Sequence, residues 1–595
     1  MTHLLVIGGA SSDILHFKGQ TAASVGGAGM YTAMAAQRCG VQVSMFAPRP
    51  RPMPDELLPV ADRLTSWQGP KITPDNLGHF EIAYQEGRTT YLEATLGTEG
   101  TLSPEMLPSD LSMYDCIHIT PLLDAQRQLA FVHACRQRGA KRISAGTFLD
   151  VCVEKPDVVR AILEHVDFFF MNQDEAVSLF GSLDTTRTPP GKVLFVTLGE
   201  KGANVIQGDF TTTLQAAPSK ELDPTGAGDT FCGAAVAYLL LGLHPVMAAL
   251  SAMALAAQMI EHVGPTALLW PDPAPEMPLD PRVVVADPQV QKVADLIGAL
   301  HEVTPFDFTG SYLPPAGHPV ALDYFFTSTL QQFGFWTTQN GKYQQPLIAP
   351  INGIKRKGSS YLYQAYLRPL DEDPNFYTPS RQAIQTRAEM VNLFRADDGT
   401  DPMPALDLHL NQARGYGQDM LALGLTPEEV IQQARASSRP MKTFTELLDM
   451  IGGYKEDPLR KKTGLLALTL DQRPETFLSP GKGEHIWPVI DYHVTRSCLR
   501  IGLIEVVDGE LREKLANRKL LEPADEWAVR YPSYLAIEKV VTRSGKSMGA
   551  VDWFFFNSRK RCPEMTEPEC EYCPVDPVCA HLKELFQPVL RTIFY

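Results

Sequence analysis

Residues 223–231 carry the sequence Asp-Pro-Thr-Gly-Ala-Gly-Asp-Thr-Phe and stand at the start of a long apolar stretch. Glycine lets the backbone approach a ligand closely, and the amide hydrogens at a helix N-terminus attract anionic oxygens. We therefore predict a phosphate-binding turn in which the amides of Gly226, Ala227 and Gly228 stabilise developing negative charge. Asp229, at the same turn, would accept the proton of an attacking hydroxyl.

The sequence around this motif, from Leu4 to about Val263, alternates short apolar runs with helix-like stretches. The runs are LLVIGG, QVSMFAP, CIHIT, RISAGTF, FFFMN and KVLFVTLG. This alternation predicts an α/β domain with a parallel sheet and crossover helices. His79–Leu92 alternates in polarity and predicts a hairpin in a small accessory sheet, which we interpret as a lid.

Further motifs precede the first one in the chain: the glycine pair Gly26-Gly27, the pattern Asn172-x-x-Glu175 and the turn Thr197–Gly202. With residues 223–231 they stand in the order typical of the ribokinase-like (PfkB) sugar and nucleoside kinases, a family that residues 1–266 resemble. The resemblance implies a three-layer fold and transfer of phosphate from ATP, with Mg²⁺, to a sugar or nucleoside hydroxyl. It makes Asp229 the catalytic base.

The resemblance also assigns binding roles to the other matching positions. It implies nucleotide or Mg²⁺ binding by Asn172, Glu175, Thr197, Gly199, Gly202, Gly226, Ala227 and Gly228. It implies sugar binding by Asp13, Gly26, Gly27 and Tyr31. Many family members have asparagine where this chain has Tyr31, so we expect an atypical acceptor.

The composition bounds the remaining possibilities. A length of 595 residues exceeds what one core supports, and 44% hydrophobic residues exclude a disordered or collagen-like chain. A net charge of -16 argues against a protein that binds nucleic acid over its whole surface.

Phe231–Ile260 is interrupted by Gly242 and Pro245, which predicts two buried helices rather than a membrane span. Met1–Gly9 lacks the pattern of a signal peptide, so we expect a cytoplasmic protein.

Five prolines between Trp270 and Arg282 predict an extended linker. We expect a kinase-like domain at 1–268, the linker at 269–282, a helical region of unassigned role at 283–415 and a second domain at 416–595. Helical spacing makes the second half mostly α-helical. The predicted helices are Gln289–Leu300, Arg381–Phe394, Leu408–Leu423, Pro427–Ala436 and Thr443–Ile451.

Four of the ten cysteines, Cys562, Cys570, Cys573 and Cys579, lie within eighteen residues near the C-terminus. Four thiolates at this spacing suit either an iron-sulfur cluster or structural Zn²⁺, and the chemistry alone does not distinguish them. The array is similar to the cluster loop of the endonuclease III and MutY helix-hairpin-helix glycosylases. That resemblance favours a [4Fe-4S] cluster, with zinc as the alternative.

The same resemblance extends upstream to Ile490-Asp-Tyr-His-Val-Thr-Arg496 and to the helix that begins at Lys461. It implies that Asp491 supports cleavage of an N-glycosidic bond and that Lys462 stands where bifunctional members carry a nucleophilic lysine. The family's compact glycine-rich hairpin is replaced here by the longer, partly acidic Ile451–Lys462.

These resemblances support three hypotheses. The first is a bifunctional enzyme that phosphorylates a nucleoside and then binds or cleaves its N-glycosidic bond. The second is a DNA-repair glycosylase in the C-terminal half, for which nine basic residues would have to form one face. They are Arg460, Lys461, Lys462, Lys482, Arg496, Arg500, Arg559, Lys560 and Arg561. The third is a non-catalytic module that senses a nucleotide. The partner we expect is a small-molecule sugar or nucleoside, with nucleic acid disfavoured and no membrane.

Overall fold

The computed structural model describes residues 2–17, 20–85, 88–95, 97–339 and 342–595. The chain forms two compact units, Met1–Pro278 and Leu279–Tyr595. Each unit has its own buried core. They are therefore described one after the other.

The first unit alternates strands and helices along the chain, as its sequence predicts. Its strands are β1 (His3–Ile7), β2 (Ser11–Phe17), β3 (Gln20–Gly26), β4 (Gln42–Phe46), β5 (Arg49–Pro50), β6 (Ser66–Gln68), β7 (Lys71–Ile72), β8 (Gly78–Gln85), β9 (Arg88–Thr95), β10 (Cys116–Ile119), β11 (Ile143–Gly146), β12 (Phe168–Asn172), β13 (Val193–Thr197), β14 (Ala203–Gln207) and β15 (Phe210–Leu214). Its helices are α1 (Ala28–Arg38), α2 (Leu58–Ala61), α3 (Ala125–Gln137), α4 (Leu149–Glu154), α5 (Pro156–His165), α6 (Gln173–Phe180), α7 (Ala227–Leu241) and α8 (Pro245–Ile260).

A nine-stranded sheet in the order β15-β14-β13-β12-β11-β10-β1-β4-β6 forms the centre of this unit. Its strands run parallel except β14, which pairs antiparallel with both β13 and the edge strand β15. Leu4 and Val6 of β1 pack with α1, α7 and α8, whereas Leu5 and Ile7 pack with α3, α5 and α6. Because helices cover both faces of the sheet, inner strands such as β1 and β12 are largely apolar. The three-layer α/β architecture is confirmed.

A separate four-stranded sheet, β3-β2-β8-β9, lies outside the central sheet. The predicted hairpin at His79–Leu92 is confirmed as β8 and β9, with residues 86 and 87 outside the described part of the chain. The sequence analysis did not predict β2 and β3, which supply half of this sheet. Asp13 lies in β2, so the accessory sheet brings a carboxylate to the site described below.

The apolar stretch after residue 230 forms α7 and α8, two buried helices separated at Gly242, whose φ of 98° ends α7 in the left-handed region. Glycine adopts that conformation without steric cost, which explains why the helix stops there. Among the described residues, no helix combines the length and apolar character that a membrane span requires.

The second unit is mostly helical, as predicted. Its helices are α9 (Asp287–Ala299), α10 (Ala321–Thr329), α11 (Ser359–Tyr366), α12 (Pro379–Ala383), α13 (Arg387–Phe394), α14 (Leu406–Leu423), α15 (Pro427–Ala436), α16 (Pro440–Leu448), α17 (Lys461–Gln472), α18 (Tyr492–Ile501), α19 (Gly509–Ala516), α20 (Pro523–Ser544) and α21 (Met548–Ser558). Its strands are β16 (Val283–Val285), β17 (Trp336–Gln339), β18 (Lys342–Pro346), β19 (Ile348–Ile351), β20 (Ile354–Lys357) and β21 (Ile504–Val506), which pair as β16-β21, β17-β18 and β19-β20.

Two features of this unit differ from the sequence expectation. The helix predicted over Arg381–Phe394 is split into α12 and α13, because Thr386 and Glu389 form a reciprocal capping box that begins a new helix. The hairpins β17-β18 and β19-β20 were not predicted. All four strands are only four or five residues long, and β17, β18 and β20 are largely polar, so they lack the apolar alternation by which strands are recognised. β19 is apolar but contains Pro350, which is unusual inside a strand.

Candidate active sites

The predicted phosphate-binding turn is held in place by Asp223. One carboxylate oxygen of Asp223 accepts a hydrogen bond from the amide of Thr225 at 3.0 Å, and the other accepts one from Gly264 at 2.8 Å. Gly226 follows with φ +77° and stands at the N-cap of α7. A left-handed residue at this point turns the chain into the helix, and glycine adopts it without strain. The motif therefore folds as its sequence predicts.

Tyr31 packs directly against this turn. A Cβ at position 226 would lie 2.6 Å from the Tyr31 ring, and Tyr31 is only 2% exposed. Burial raises the pKa of Tyr31, and the charges of Asp223, Asp13 and Asp229 raise it further. The Tyr31 phenol thus stays neutral among three carboxyl groups. Because the ring touches the turn that carries Asp229, the tyrosine limits the space beside the Asp229 carboxylate.

Asp229 lies in the first turn of α7 and is partly exposed, so it can contact a ligand. Burial of its carboxyl group raises the pKa of Asp229 to about 6. Burial likewise raises the pKa of Glu175 to about 7, with a contribution from Asp229. The two acidic side chains are therefore within electrostatic reach of each other. A carboxylate whose pKa is about 6 is a suitable proton acceptor near neutral pH.

Asn172 and Glu175 form a capping box at the start of α6. The Asn172 side chain accepts a hydrogen bond from the Glu175 amide at 3.0 Å, and Glu175 accepts from the Asn172 amide at 2.7 Å and its side-chain Nδ2 at 2.8 Å. Both carboxylate oxygens of Glu175 are thus used within the box. A Mg²⁺ ion keeps much of its water shell in proteins, so this pair fits an ion held through water rather than a bare ion.

The predicted nucleotide-binding turn lies beside that box. Thr197, the last residue of β13, pairs with Asn172, the last residue of β12, so both predicted elements end at the same edge of the sheet. At Gly202, φ is +104° and a Cβ would lie 2.0 Å from the Leu214 carbonyl oxygen. Only glycine fits there. Gly199 also has a positive φ, at +62°, and a Cβ added at this position would have no atom within 4 Å.

Asp13 is 4% exposed, and its Oδ1 has no hydrogen-bond partner among the described residues. Burial raises the pKa of Asp13 to about 6. A Cβ at Gly26 would lie 1.8 Å from Asp13 Oδ2, and one at Gly27 would lie 2.5 Å from the Gly9 carbonyl oxygen. A buried polar atom without a partner is costly unless a ligand satisfies it. Asp13 Oδ1 is therefore available to a ligand hydroxyl.

The amides of the phosphate-binding turn differ in one respect from the sequence expectation. The Ala227 amide donates to the Pro224 carbonyl oxygen at 3.1 Å, closing the turn, so it is already engaged. Gly228 is exposed, and no atom lies within 4 Å of its virtual Cβ. Of the three predicted amide positions, Gly228 is the most accessible to an anion.

In the second unit, a cavity of about 250 Å³ contains Asp491. Its aromatic lining includes Phe306, whose ring stacks on Trp553 at 4.3 Å, and Phe556. Asp491 caps α18: its Oδ1 accepts the amide hydrogens of His493 at 2.8 Å and Val494 at 2.9 Å. These bonds fix the carboxylate and leave Oδ2 for the cavity. The volume lies slightly below the range of about 300–1,000 Å³ typical of small-molecule sites.

The two lysines at the start of α17 lie in different places. Lys461 lines the cavity; its Nζ donates to the Gln332 carbonyl oxygen at 2.8 Å, and burial lowers the pKa of Lys461 to about 8. Lys462, the residue predicted from sequence, does not line it. Its Nζ donates to the Gly453 carbonyl oxygen at 3.0 Å and lies 4.5 Å from the centre of the Phe333 ring. Sequence alone could not separate adjacent lysines, since only the helix orientation decides which one faces the cavity.

The segment that replaces the glycine-rich hairpin is turned inward. The Gly452 amide donates to Asp419 at 2.8 Å, and the Gly453 amide donates to Glu456 at 3.1 Å. Lys455 forms an ion pair with the same Asp419 at 2.7 Å. Carboxylates of the chain itself thus accept the hydrogen bonds of both glycine amides. Nor do the basic residues proposed from sequence form one surface, since Lys461, Lys462, Arg496 and Arg500 are all buried.

All four clustered cysteines line a second cavity, of about 40 Å³, beside α18. Arg500 of that helix donates to Cys562 Sγ at 3.2 Å, and the His581 amide donates to Cys579 Sγ at 3.3 Å. Burial raises the pKa of Cys573 and Cys579, and the neighbouring thiols raise it further. Donors aimed at sulfur are the arrangement that stabilises metal-bound thiolates.

The sulfur spacing bears on the kind of metal. Ligands of one Zn²⁺ ion lie about 3.8 Å apart, since each Zn–S bond is about 2.3 Å. Within the described residues, the His, Cys, Asp and Glu ligand atoms that gather within 4.8 Å of one another belong to Cys570, Asp576 and His581, a group that includes one of the four clustered cysteines. The four sulfurs therefore line one cavity without the close spacing of a set of ligands around one Zn²⁺ ion.

Sequence reasoning missed two residues of the second unit that contact these sites. Asp552, on α21, lines the large cavity with Asp491. Glu564 lies in the cysteine loop, yet it accepts a hydrogen bond from Lys357 at 2.6 Å and lies 3.2 Å from His493 Nδ1. Glu564 thereby ties the cysteine loop to the wall of the cavity. Asp552 is an isolated acidic residue on a helix, and Glu564 is an isolated acidic residue in a loop. Neither belongs to a sequence motif with a characteristic spacing, so the sequence could not identify them.

Residues 109–272 match the family described as pfkB family carbohydrate kinase. A cytidine kinase of Thermococcus kodakarensis is 28% identical over 245 residues, which cover 39% of this chain and 87% of that protein. An inositol 3-kinase of Arabidopsis thaliana is 33% identical over 103 residues, or 17% of this chain and 28% of that protein. The structure of an adenosine kinase from Sinorhizobium meliloti has a TM-score of 0.40 and 20% identity, covering 44% of this chain and 95% of its own. The matched family segment contains Asn172, Thr197 and Asp229.

Proposed function

We propose that the first unit transfers the γ-phosphoryl group of ATP to a hydroxyl of a sugar or nucleoside. The observation that carries this proposal is the position of Asp229, a partly exposed residue in the first turn of α7, beside the glycine turn that precedes the helix. Burial raises the pKa of its carboxyl group to about 6. Asp229 accepts the hydroxyl proton as the acceptor oxygen bonds to phosphorus and the bond to ADP breaks. The family match over residues 109–272 supports the same reaction.

The other residues of this site bind the two substrates. Asp13 Oδ1 accepts a hydrogen bond from a sugar hydroxyl, which satisfies a buried oxygen that otherwise lacks a partner. The turn from Thr197 to Gly202 adjoins the nucleotide, and Asn172 with Glu175 orders a hydrated Mg²⁺ ion, whose positive charge offsets the charge of the transferred group. ADP formation measured with ribose, cytidine, adenosine and inosine tests this activity. No ADP formation with any acceptor would favour the nucleotide-sensing alternative.

We propose further that the second unit binds a small glycoside and cleaves its N-glycosidic bond, with Asp491 stabilising the positive charge that develops on the sugar. The supporting observation is a fixed carboxylate in a cavity whose aromatic wall suits a planar base. The inward-turned hairpin favours a free nucleoside or nucleotide over DNA, because Asp419 and Glu456 occupy its amides. Base release from ribonucleoside 5′-monophosphates, compared with release from duplex DNA, tests this choice.

The two activities would act in sequence on one metabolite. Phosphorylation of a nucleoside by the first unit produces a nucleotide, whose base the second unit then releases. One chain carrying both activities keeps the intermediate at a high effective concentration. Release of base from a nucleoside that depends on added ATP would support this order, and equal release without ATP would contradict it.

We also propose that the four cysteines hold a [4Fe-4S] cluster. The proposal is supported by the cavity that all four cysteines line, about 40 Å³, which exceeds the ~10–15 Å³ that one water requires. A cluster bound there would join the cysteine loop to α18 and so support the position of Asp491.

Cys573→Ser is expected to abolish the broad visible absorption of protein purified without oxygen and to lower its bound iron severalfold. The substitution removes one of four thiolate ligands, and metal binding contributes directly to folding stability. The Tm of the second unit should fall as well. Iron and sulfide quantitation with differential scanning calorimetry checks both effects. The control is Cys39→Ser in the first unit, which should leave the iron content unchanged. A colourless wild-type protein containing zinc would contradict the proposal.

A further inference from the structure

The large cavity of the second unit contains a second carboxyl group that no sequence pattern indicated. Asp552 lies on α21, and the same face of this helix supplies Trp553, Phe556 and Arg559 to the cavity wall. Asp491 enters from the N-terminus of α18, and Lys461 from the N-terminus of α17. Three helices therefore bring two carboxyl groups and one amine to a single cavity.

We propose that Asp552 is the general acid of this cavity and protonates the leaving base, while the Asp491 carboxylate stabilises the charge that develops on the sugar. This inference rests on the proposed function of the second unit. The two carboxyl groups differ in their hydrogen bonds. Asp491 accepts two backbone amides at the positive end of a helix, an environment that favours a negative charge. No comparable donors reach Asp552 among the hydrogen bonds of the described residues.

The electrostatics of the cavity agree with this division. Burial raises the pKa of Asp552 to about 8, Asp491 raises it as well, and Lys461 opposes the shift. Burial lowers the pKa of His493, in the same wall, well below its ordinary value. The other ionisable groups in the wall are two basic side chains and four tyrosines: Arg559, Lys560, Tyr312, Tyr363, Tyr492 and Tyr595. Neighbouring carboxyl groups that hold one proton between them provide an acid and a base at the same pH.

The reaction balances with water as the second reactant. The bond between the sugar carbon and the base nitrogen breaks, and its electron pair stays with the base. Asp552 gives its proton to the base. The oxygen of water bonds to the sugar carbon, and the proton that water loses goes to Asp491. Exchange of this proton with Asp552 restores the starting state. The sugar carries positive charge in between, which the Asp491 carboxylate stabilises.

Lys461 has a positioning role in this arrangement. Its Nζ is fixed by the Gln332 carbonyl oxygen, and its charge interacts with both carboxyl groups. Because a positive charge favours the ionised form of its neighbours, Lys461 restrains the proton affinity of Asp552. Lys461 thereby allows Asp552 to release its proton near neutral pH rather than far above it.

The test compares two leaving groups on the full-length protein: ribonucleoside 5′-monophosphates, whose base needs a proton to leave, and 4-nitrophenyl ribofuranoside 5-phosphate, whose phenolate leaves unprotonated. Asp552→Asn should lower kcat about 10²- to 10⁴-fold for the nucleotides and less than about tenfold for the nitrophenyl compound. Asp491→Asn should slow both substrates strongly. The wild-type rate with nucleotides should fall above pH 8, and Asp552→Asn should lessen this fall. Any part that remains reports Lys461, whose pKa is also about 8.

The possible results separate the role of Asp552 from the proposed cleavage reaction. Equal losses for both substrates in Asp552→Asn, or an unchanged alkaline fall, would overturn the role of Asp552 while leaving the proposed cleavage intact. Cleavage of neither substrate by the wild-type protein would overturn the proposed function and the inference with it. Asp552→Asn should not lower the Tm at pH 7, because it removes a group that folding protonates at that pH. A large loss of Tm would indicate a structural role instead.

Discussion

Asp229→Asn is expected to lower the kcat of phosphoryl transfer by about 10³-fold, because an amide cannot accept the proton of the acceptor hydroxyl. The substitution is nearly isosteric and leaves the cap of α7 at Gly226 untouched, so KM for ATP should change little. A steady-state assay of ADP formation, run with the acceptor on which the wild-type protein is most active, measures both constants.

The pH dependence gives this first prediction a second readout. Since the pKa of Asp229 is about 6, its basic form increases as the pH rises through 6, and wild-type kcat/KM should rise over the same interval and level off above pH 7. The residual activity of Asp229→Asn should lack this rise. Asp209→Asn is the matched control, because the Asp209 side chain is 97% exposed. An Asp229→Asn protein with at least a tenth of wild-type kcat would exclude Asp229 as the base.

Arg530→Met is expected to lower the free energy of unfolding of the second unit by about 3–5 kcal/mol. Arg530 is fully buried on α20 and forms a bidentate ion pair with Asp457 at 2.7 and 2.8 Å. Its Nε donates to the Ile490 carbonyl oxygen at 3.2 Å, one residue before Asp491. Methionine would leave Asp457 charged and unpaired in the core. Urea unfolding followed by circular dichroism measures the loss.

A double variant distinguishes the ion pair from simple packing. Removal of both charges, in Arg530→Met with Asp457→Asn, should recover part of the lost stability, because the Asp457 carboxylate is then no longer left without its partner. Asparagine keeps an acceptor for the amides of Leu459 and Lys461, to which Asp457 is bonded. Burial acts to raise the pKa of Asp457, but the Arg530 charge and hydrogen bonds hold that pKa below its ordinary value. The stabilisation is therefore present above about pH 4 and is lost as the pH falls towards the lower folded pKa. A double variant less stable than Arg530→Met would contradict this account.

The sequence predicted the candidate site of the first unit more completely than the large cavity of the second unit. The first site lies almost entirely within local motifs: the cap at Gly226, the Asn172 and Glu175 box, and the left-handed turn at Gly202 are each formed by residues close together in the chain. Local geometry of this kind is specified by residue type and spacing. The large cavity of the second unit is instead assembled from α17, α18 and α21, whose meeting no local pattern encodes.

The sequence by itself determined the elements whose causes are local: the alternating strands and helices of the first unit, the break at Gly242, the capped helix starts and the spacing of the four cysteines. Only the tertiary structure decided which side chains share a cavity. It placed Lys461 rather than Lys462 beside Asp491, brought Asp552 to the same cavity and turned the hairpin amides towards Asp419 and Glu456. The physical reason is that the side of a helix facing a cavity, and the desolvation that shifts a pKa there, depend on packing between segments distant in the chain.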